Sequence, residues 1–286
     1  MKSPAAIIFL ATVLLAAGTQ AAPKASGLPT PLPTPTEAEW RTPDPQDVLV
    51  IDTTKGRIIV EMSPLATPLT VARIRTLTRA GLYNGRGFFR VIDNFMDQTG
   101  DPQDNGTGGS KEPNLPPEFT FRRGADTPLA AVSKEGGVET GLIGAFPVAS
   151  QTLDLALLTV DQKVNAWGMF CPGVVGMARS DAPDSANSQF FLMRATTASL
   201  DQKYTAFGRA IAGFDVIRAI KVGEPPTDPD RMTTVRILAD IPVAEQPKIR
   251  VADTRGAWFK SAVDRARVQK VVGVSACDVE IPVEVK

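Results

Sequence analysis

The sequence predicts a mainly β protein in which an antiparallel barrel is closed by helices. Short apolar runs with strand character recur through the middle of the chain, separated by turn residues, whereas helical periodicity occurs in few places. The alternation of strands and helices that is typical of a parallel sheet is absent. With 286 residues, 43% of them hydrophobic, the chain suits one domain of about 150 to 250 residues with additional segments.

The N-terminus predicts an exported protein. Met1-Lys2 precedes an apolar run over residues 4–18, and small residues follow at the spacing that a signal peptidase reads. We expect a signal peptide over residues 1–21, cleaved near Ala21, and a periplasmic location in a bacterium. The apolar run is shorter than the roughly 20 residues of a spanning helix, so no membrane span is expected after cleavage.

Residues 22–46 predict an extended, proline-rich linker, because Pro, Thr and Ala dominate and proline recurs on alternate positions from Pro29 to Pro35. The main domain is expected over residues 47–242, with an insertion over about 122–172. Residues 243–286 are expected to form a C-terminal extension.

The first elements of the domain have clear local patterns. Residues 48–51 and 57–62, separated by a turn containing Lys55-Gly56, predict a hairpin. A helix is expected to start at Pro68, which suits the first helical position, and to stop at Gly81. Further strands are predicted over 87–92, 174–177, 189–193, 205–211 and 234–241, with a short helix over 214–221.

Two segments do not fit a compact barrel. The insertion contains glycine-rich stretches at 135–137 and 141–144 and a helical-looking stretch at 152–160, so we expect a functional loop or an elaboration with its own structure. In the extension, Phe259, Val263 and Ala266 recur at helical spacing, and 271–274 and 279–285 have strand character. We predict a helix and strand that dock on the body, because the apolar runs would otherwise be exposed.

The charges and the missing histidine exclude several kinds of function. There is no histidine, so no imidazole acts as base, nucleophile or zinc ligand, and Ser180, Ser188 and Cys171 lack the partner that a hydrolase needs. The 31 Lys and Arg residues balance 31 Asp and Glu residues, which argues against a nucleic-acid partner. No metal or other cofactor is implied, and a monomer is expected.

Cys171 and Cys277 are the two cysteines of the chain. An exported protein keeps its disulfides, so the two residues either pair or remain separate buried thiols. The sequence does not decide between these alternatives, because a disulfide requires Cα atoms about 4.4 to 6.8 Å apart.

Two segments carry the chemistry. In the first segment, residues 88–101, Arg90 and Gln98 stand beside large apolar residues. The second segment begins with Gly-Met-Ala-Arg at 176–179 and ends with Ser-Gln-Phe-Phe at 188–191. Rotation of a peptide bond costs about 18–20 kcal/mol because amide resonance is lost. A catalyst lowers this barrier by holding a proline ring in an apolar pocket and by presenting a hydrogen-bond donor to the twisted nitrogen. Arginine suits that task, being permanently charged and rigidly forked.

Both segments resemble the two signature segments of the cyclophilins, which are peptidyl-prolyl cis-trans isomerases, over roughly residues 48–241 with the insertion left out. The resemblance implies a closed, eight-stranded antiparallel barrel capped by two helices. Arg90 matches the family's catalytic arginine, and Phe95 and Gln98 are expected to share in catalysis. The residues expected to bind substrate are Met96, Gly106, Ala178, Arg179, Gln189, Phe191, Leu200 and Tyr204. The sequence departs from many members at Phe89 and Tyr204, where they have histidine.

The resemblance implies an exported isomerase that acts on X-Pro bonds of proline-containing polypeptides. The alternative is a non-catalytic module of the periplasm that binds proline segments or acts as a chaperone. In that alternative the insertion or the tail supplies the partner surface, and it gains support only if the insertion covers the groove.

Overall fold

The computed structural model describes residues 34–270 and 273–286 of the chain. The predicted signal peptide, the predicted linker up to residue 33, and residues 271–272 lie outside the described residues. Within the described ranges, no helix has both the length and the apolar character needed to cross a membrane.

Antiparallel strands dominate the described structure. The strands, in chain order, are β1 (Trp40–Arg41), β2 (Val48–Thr53), β3 (Gly56–Met62), β4 (Arg90–Ile92), β5 (Met96–Thr99), β6 (Phe121–Arg123), β7 (Ala130–Glu135), β8 (Val138–Ile143), β9 (Phe146–Gln151), β10 (Val164–Gly168), β11 (Val174–Met177), β12 (Phe190–Met193), β13 (Ala206–Ala212), β14 (Met232–Ile237), β15 (Ile249–Ala252) and β16 (Val283–Val285). The α-helices are α1 (Pro68–Arg79), α2 (Phe214–Ala219) and α3 (Ala257–Gln269). Short 3-10 helices lie at Glu37–Glu39, Pro45–Asp47, Leu153–Leu158, Ala198–Leu200, Leu238–Asp240, Val243–Glu245 and Ala276–Asp278.

An antiparallel sheet of eight strands forms the body, in the order β14-β2-β3-β13-β11-β12-β5-β4. It curls into a half-barrel accompanied by few helices. The closed barrel is not confirmed, because among the described residues no ladder joins the edge strands β14 and β4. Near these edges the backbone makes isolated bridges, from Gly87 to Arg231 and from Val91 to Gly223.

The predicted hairpin and first helix are confirmed. β2 and β3 pair along their whole length. α1 begins at Pro68 and buries Val71, Ile74 and Leu77 against the sheet, as their helical spacing requires. The two backbone N–H groups after Pro68 donate to the carboxylate of Glu118 at 2.9 and 2.8 Å. This carboxylate satisfies donors that the helix leaves free and complements the helix dipole.

The later strands and α2 are also present near their predicted positions, with shifted ends. The predicted strand 174–177 is β11. The predicted strand 189–193 begins one residue before β12, and the predicted strand 205–211 begins and ends one residue before β13. The predicted strand 87–92 shortens to β4, and the predicted strand 234–241 becomes β14. β5 was not predicted, because its buried side chains include the polar residues Asp97 and Thr99 and so give no apolar signal.

The insertion is a sheet of five antiparallel strands, in the order β6-β10-β9-β8-β7. The sequence indicated a structured elaboration but none of these strands. The helical-looking stretch 152–160 is a 3-10 helix, Leu153–Leu158, and not an α-helix. Thr159 ends it, since its hydroxyl oxygen lies within hydrogen-bond distance of the carbonyls of Ala156 and Lys163 and accepts from the backbone N–H of Lys163, which closes a tight turn.

The C-terminal extension packs on the insertion. α3 is confirmed and packs against Val132 of β7 and Leu142 of β8 through Trp258, Phe259 and other apolar residues. β15, which was not predicted, lies between β1 and β16 in a three-stranded sheet. The predicted strand 279–285 is present only as β16, and the described residues of 271–274 form no strand.

Two contacts join the C-terminal extension to other parts of the described structure. The linker predicted over residues 22–46 is wrong at its C-terminal end. Within it, β1 pairs with β15 and is therefore part of the folded structure. A disulfide joins Cys171, at the end of the insertion, to Cys277 in the extension, with 5.1 Å between the Cα atoms.

Candidate active site

Four neighbouring strands bring two of the predicted catalytic residues, Arg90 and Gln98, into one row with Phe191. Gly176 of β11 lies opposite Phe191 of β12, Phe191 lies opposite Gln98 of β5, and Gln98 lies opposite Arg90 of β4. Residues directly opposite one another in an antiparallel sheet project from the same face. The guanidinium, the amide and the phenyl ring therefore share one surface.

The guanidinium of Arg90 is held by hydrogen bonds on two sides. Its Nη1 donates to Oε1 of Gln98 at 3.4 Å, and its Nε donates to Oε2 of Glu224 at 2.8 Å. Among the residues that the structure describes, Nη2 has no hydrogen-bond partner. The Arg90 side chain as a whole is 40% exposed.

A chain of amide hydrogen bonds fixes the orientation of Gln98. Its Nε2 donates to Oε1 of Gln189 at 3.0 Å, and Nε2 of Gln189 donates to the carbonyls of Gly106 at 3.1 Å and Gly108 at 2.7 Å. Because the amide nitrogen of Gln98 is turned towards Gln189, its oxygen faces Arg90. The glycine-rich turn thus positions the arginine through two amides.

Asp101 organises that turn. Four backbone N–H groups of residues 103–108 donate to its carboxylate. Burial would raise the pKa of the Asp101 carboxyl, but these donations hold that pKa below its ordinary value. Gly106 has a φ of +86°, and a Cβ there would lie 3.2 Å from the ring of Phe89. Glycine is required at this position for both reasons.

An apolar cavity of about 100 Å³ lies beside Arg90. Its wall includes Met96 and Phe191, which are 1% and 5% exposed, and the ring of Tyr204 lies edge-on to Phe191 with 6.1 Å between centroids. The residues lining this cavity are Arg90, Phe95, Met96, Gln98, Ala178, Arg179, Phe191, Leu200 and Tyr204.

A second, polar cavity of about 250 Å³ adjoins the first and shares Gln98, Ala178 and Arg179 with it. Gly106 and Gln189 line it as well, so all eleven residues predicted for catalysis and binding line one or the other cavity. Arg179 packs over Tyr204, with its guanidinium carbon 4.4 Å from the ring centroid. No described residue of the insertion lines either cavity.

Phe170 supports the apolar wall from behind. It stacks on Phe191 with 5.7 Å between centroids, and its backbone N–H donates to Asp201 at 2.9 Å. Burial raises the pKa of Asp201 to about 6, although this hydrogen bond acts in the opposite direction. A Cβ at Gly176 would lie 2.6 Å from the Phe170 ring and 2.8 Å from the Phe191 ring. The stacked pair therefore depends on glycine at this position.

A buried ion pair lies behind the row. Asp97, fully buried on β5, accepts a hydrogen bond from Nη1 of Arg194 at 3.3 Å, and its second oxygen has no partner among the described residues. Burial raises the pKa of Asp97 to about 7 and outweighs the attraction of Arg194. Arg194 also donates to the carbonyls of Ile220 and Arg218, so it joins β12 to the segment around the end of α2.

Sequence reasoning missed three residues that shape the site. Asp101 lies at the end of the first signature segment, where an acidic residue before a glycine-rich turn was an available signal. Phe170 precedes Cys171 and gives no signal of its own. Glu224 is 134 residues from Arg90, and no spacing rule connects the two.

The comparisons with known proteins identify the family. A sequence model described as "Cyclophilin type peptidyl-prolyl cis-trans isomerase/CLD" matches residues 48–239. The chain belongs to the cyclophilin family. The resemblance that the two signature segments indicated is thus confirmed, and this cyclophilin is an isomerase of the peptidyl-prolyl cis-trans type.

Relatives from bacteria and fungi agree with this assignment. The chain is 32% identical over 213 residues to a probable peptidyl-prolyl cis-trans isomerase of Brucella suis, covering 69% of this chain and 85% of that protein. It is 30% identical to a peptidyl-prolyl cis-trans isomerase-like 1 of Aspergillus fumigatus, covering 66% of this chain and 91% of that protein.

A solved cyclophilin has a similar structure over most of the chain. It is AquaCyp293 from Hirschia baltica, with a TM-score of 0.80 and 34% identity, covering 86% of this chain and 93% of that one. Because the covered share exceeds the part matched by the family model, the similarity includes segments outside residues 48–239.

Within the described ranges, no group of three or more acidic or cysteine side chains is arranged to hold a metal ion.

Proposed function

We propose that this cyclophilin accelerates rotation of X-Pro bonds in exported polypeptides, with the proline ring in the apolar cavity and Arg90 stabilising the twisted amide. The observation that carries the proposal is the placement of Arg90. Its side chain lines the apolar cavity, its guanidinium is held by Gln98 and Glu224, and Nη2 has no hydrogen-bond partner among the described residues.

The chemistry requires no nucleophile. As the X-Pro bond twists, the proline nitrogen loses resonance and becomes a better hydrogen-bond acceptor. A fixed cationic donor interacts more strongly with this state than with the planar amide, and that difference lowers the barrier. Met96 and Phe191 hold the ring, while Gln189 and the backbone of Ala178 and Arg179 orient the flanking peptide.

The substrate class is proline-containing polypeptide, whose uncatalysed isomerisation takes tens to hundreds of seconds. We propose the periplasm as the location, on the basis of the signal-like residues 1–21. Cell fractionation tests this: the protein is expected in the periplasmic fraction, and removal of residues 1–21 should leave it in the cytoplasm. Equal distribution of both forms would contradict export.

The pocket is tested with Phe95→Ala, which truncates a partly exposed ring at the cavity without emptying the buried core. The matched control is Leu157→Ala, an apolar truncation on the insertion at a residue that is 86% exposed. Exchange NMR on an Ala-Pro peptide should show catalysis by wild type and the control, and a several-fold lower kcat/KM for Phe95→Ala. Equal loss in both variants, or none in Phe95→Ala, would contradict the assigned pocket.

The non-catalytic alternative gains support only if the insertion covers the groove. Since no described residue of the insertion lines either cavity, nothing in the site favours it.

A further inference from the structure

The loop between α2 and β14 brings an acidic residue to the guanidinium of Arg90. Oε2 of Glu224 accepts a hydrogen bond from Nε of Arg90 at 2.8 Å, which is also an ion pair. Glu224 contributes nothing to the apolar cavity, but it lines a neighbouring cleft of about 570 Å³ together with Arg90 and Gln98.

The backbone fixes Glu224 in this place. The residue before it, Gly223, exchanges two hydrogen bonds with Val91, the residue after Arg90, at 2.8 and 2.9 Å. This reciprocal pair is the pattern of a short antiparallel bridge between Val91 and Gly223. The next residues along each strand, Arg90 and Glu224, therefore lie opposite each other. The backbone bridge therefore brings Arg90 and Glu224 close enough to form the ion pair.

Two of the three guanidinium nitrogens of Arg90 donate hydrogen bonds to protein side chains. Glu224 occupies Nε, Gln98 occupies Nη1, and Nη2 has no partner among the described residues. A guanidinium is planar, so two contacts on different nitrogens restrict rotation about the last side-chain bonds. The remaining nitrogen, Nη2, is then held in one orientation on a side chain that lines the apolar cavity.

We propose that Glu224 is a positioning residue for isomerisation, which it supports by holding the guanidinium of Arg90 in the orientation that meets the twisted amide. The inference rests on the proposed function, in which Arg90 stabilises that amide. Arg90 and Glu224 are 40% and 51% exposed, and exposed ion pairs contribute little to stability. Loss of Glu224 should therefore affect turnover far more than folding.

Two effects of the carboxylate oppose each other, and the structure indicates which is larger. Its negative charge weakens the field of Arg90 at the substrate, but water screens that effect at an exposed pair. Its hydrogen bond orients the donor, and misplacement of a catalytic group by a small distance reduces rates strongly. Positioning therefore dominates, and removal of the carboxylate should slow the reaction.

The test compares Glu224→Ala and Glu224→Gln with Asp228→Asn, which removes a charge from the same loop without contact to Arg90. Glu224→Ala should lower kcat about tenfold and change KM about twofold or less. Glu224→Gln keeps an acceptor for Nε and should recover most of the loss. In NMR spectra, the Nε–H signal of Arg90 should be protected from exchange in wild type and lose protection in Glu224→Ala.

The outcomes separate this inference from the proposed function. Loss of catalysis in Arg90→Ala, with wild-type kcat in Glu224→Ala, would overturn the role of Glu224 alone. Faster turnover of Glu224→Ala, or equal loss in Asp228→Asn, would overturn it as well. A wild-type protein without catalysis would overturn both proposals.

Discussion

Breaking the Cys171–Cys277 disulfide is expected to lower the free energy of unfolding by about 2 to 5 kcal/mol. The bond joins residues 106 positions apart. In the chain-entropy treatment, a closed loop of about 100 residues corresponds to about 4.7 kcal/mol, because the crosslink restricts the unfolded chain. Because α3 also packs on the insertion through Trp258 and Phe259, the folded state should keep its structure when the bond is reduced, so the loss should come mainly from the unfolded chain.

The assay is urea denaturation followed by circular dichroism, with and without a phosphine reductant. Wild type should unfold at a lower urea concentration when it is reduced. The control is the double variant Cys171→Ala with Cys277→Ala, which should match reduced wild type and not respond to the reductant. Identical midpoints for oxidised and reduced wild type would refute the reasoning.

Two further predictions concern the residues behind the site. Burial raises the pKa of Asp97 above its ordinary range to about 7, so the contribution of Asp97 to the free energy of unfolding should fall as the pH rises towards that value. The side chain in Asp97→Asn does not titrate. The free energy of unfolding of wild type minus that of this variant should therefore fall by a few kcal/mol as the pH rises from about 4 to about 7. A difference that stays constant over this pH range would contradict the raised pKa of Asp97. Gly176→Ala places a methyl group against the rings of Phe170 and Phe191, and denaturation should show a loss of about 1 to 3 kcal/mol together with a raised KM for an Ala-Pro peptide. Wild-type stability and KM in that variant would show that the stack is not needed.

The elements with strong local patterns were predictable from sequence. The β2–β3 hairpin has two apolar runs around a turn, and α1 has proline at its start and a helical apolar face. These signals act within a few residues, so no knowledge of the fold is needed to use them.

The insertion shows where local reasoning stopped. β7 and β8 form a hairpin whose two loop residues, Gly136 and Gly137, both have positive φ. A Gly-Gly pair between strands is a hairpin signal, and it was available in the sequence. The 3-10 helix Leu153–Leu158 was less accessible, because its apolar run resembles an α-helix until the turn at Thr159 closes.

The site was predictable as far as its motifs extend. Arg90, Gln98 and Phe191 were assigned from the two signature segments, and the strand register brings them into one row. Glu224 was not predictable, because its contact with Arg90 depends on how the loop after α2 docks against β4. Residues that act through a partner distant in sequence need the tertiary structure to be found.

The measurement that tests the account most directly is the cis-to-trans rate of an Ala-Pro peptide with purified mature protein, comparing wild type with Arg90→Ala. A suitable control is Arg122→Ala, which removes an arginine that pairs with Asp161 on the insertion. Removal of a preorganised donor should reduce kcat/KM by about 100-fold or more, with the urea midpoint unchanged. Fast catalysis that collapses only in Arg90→Ala is the predicted result. Wild-type catalysis that persists in Arg90→Ala would contradict the claim that this guanidinium stabilises the twisted amide.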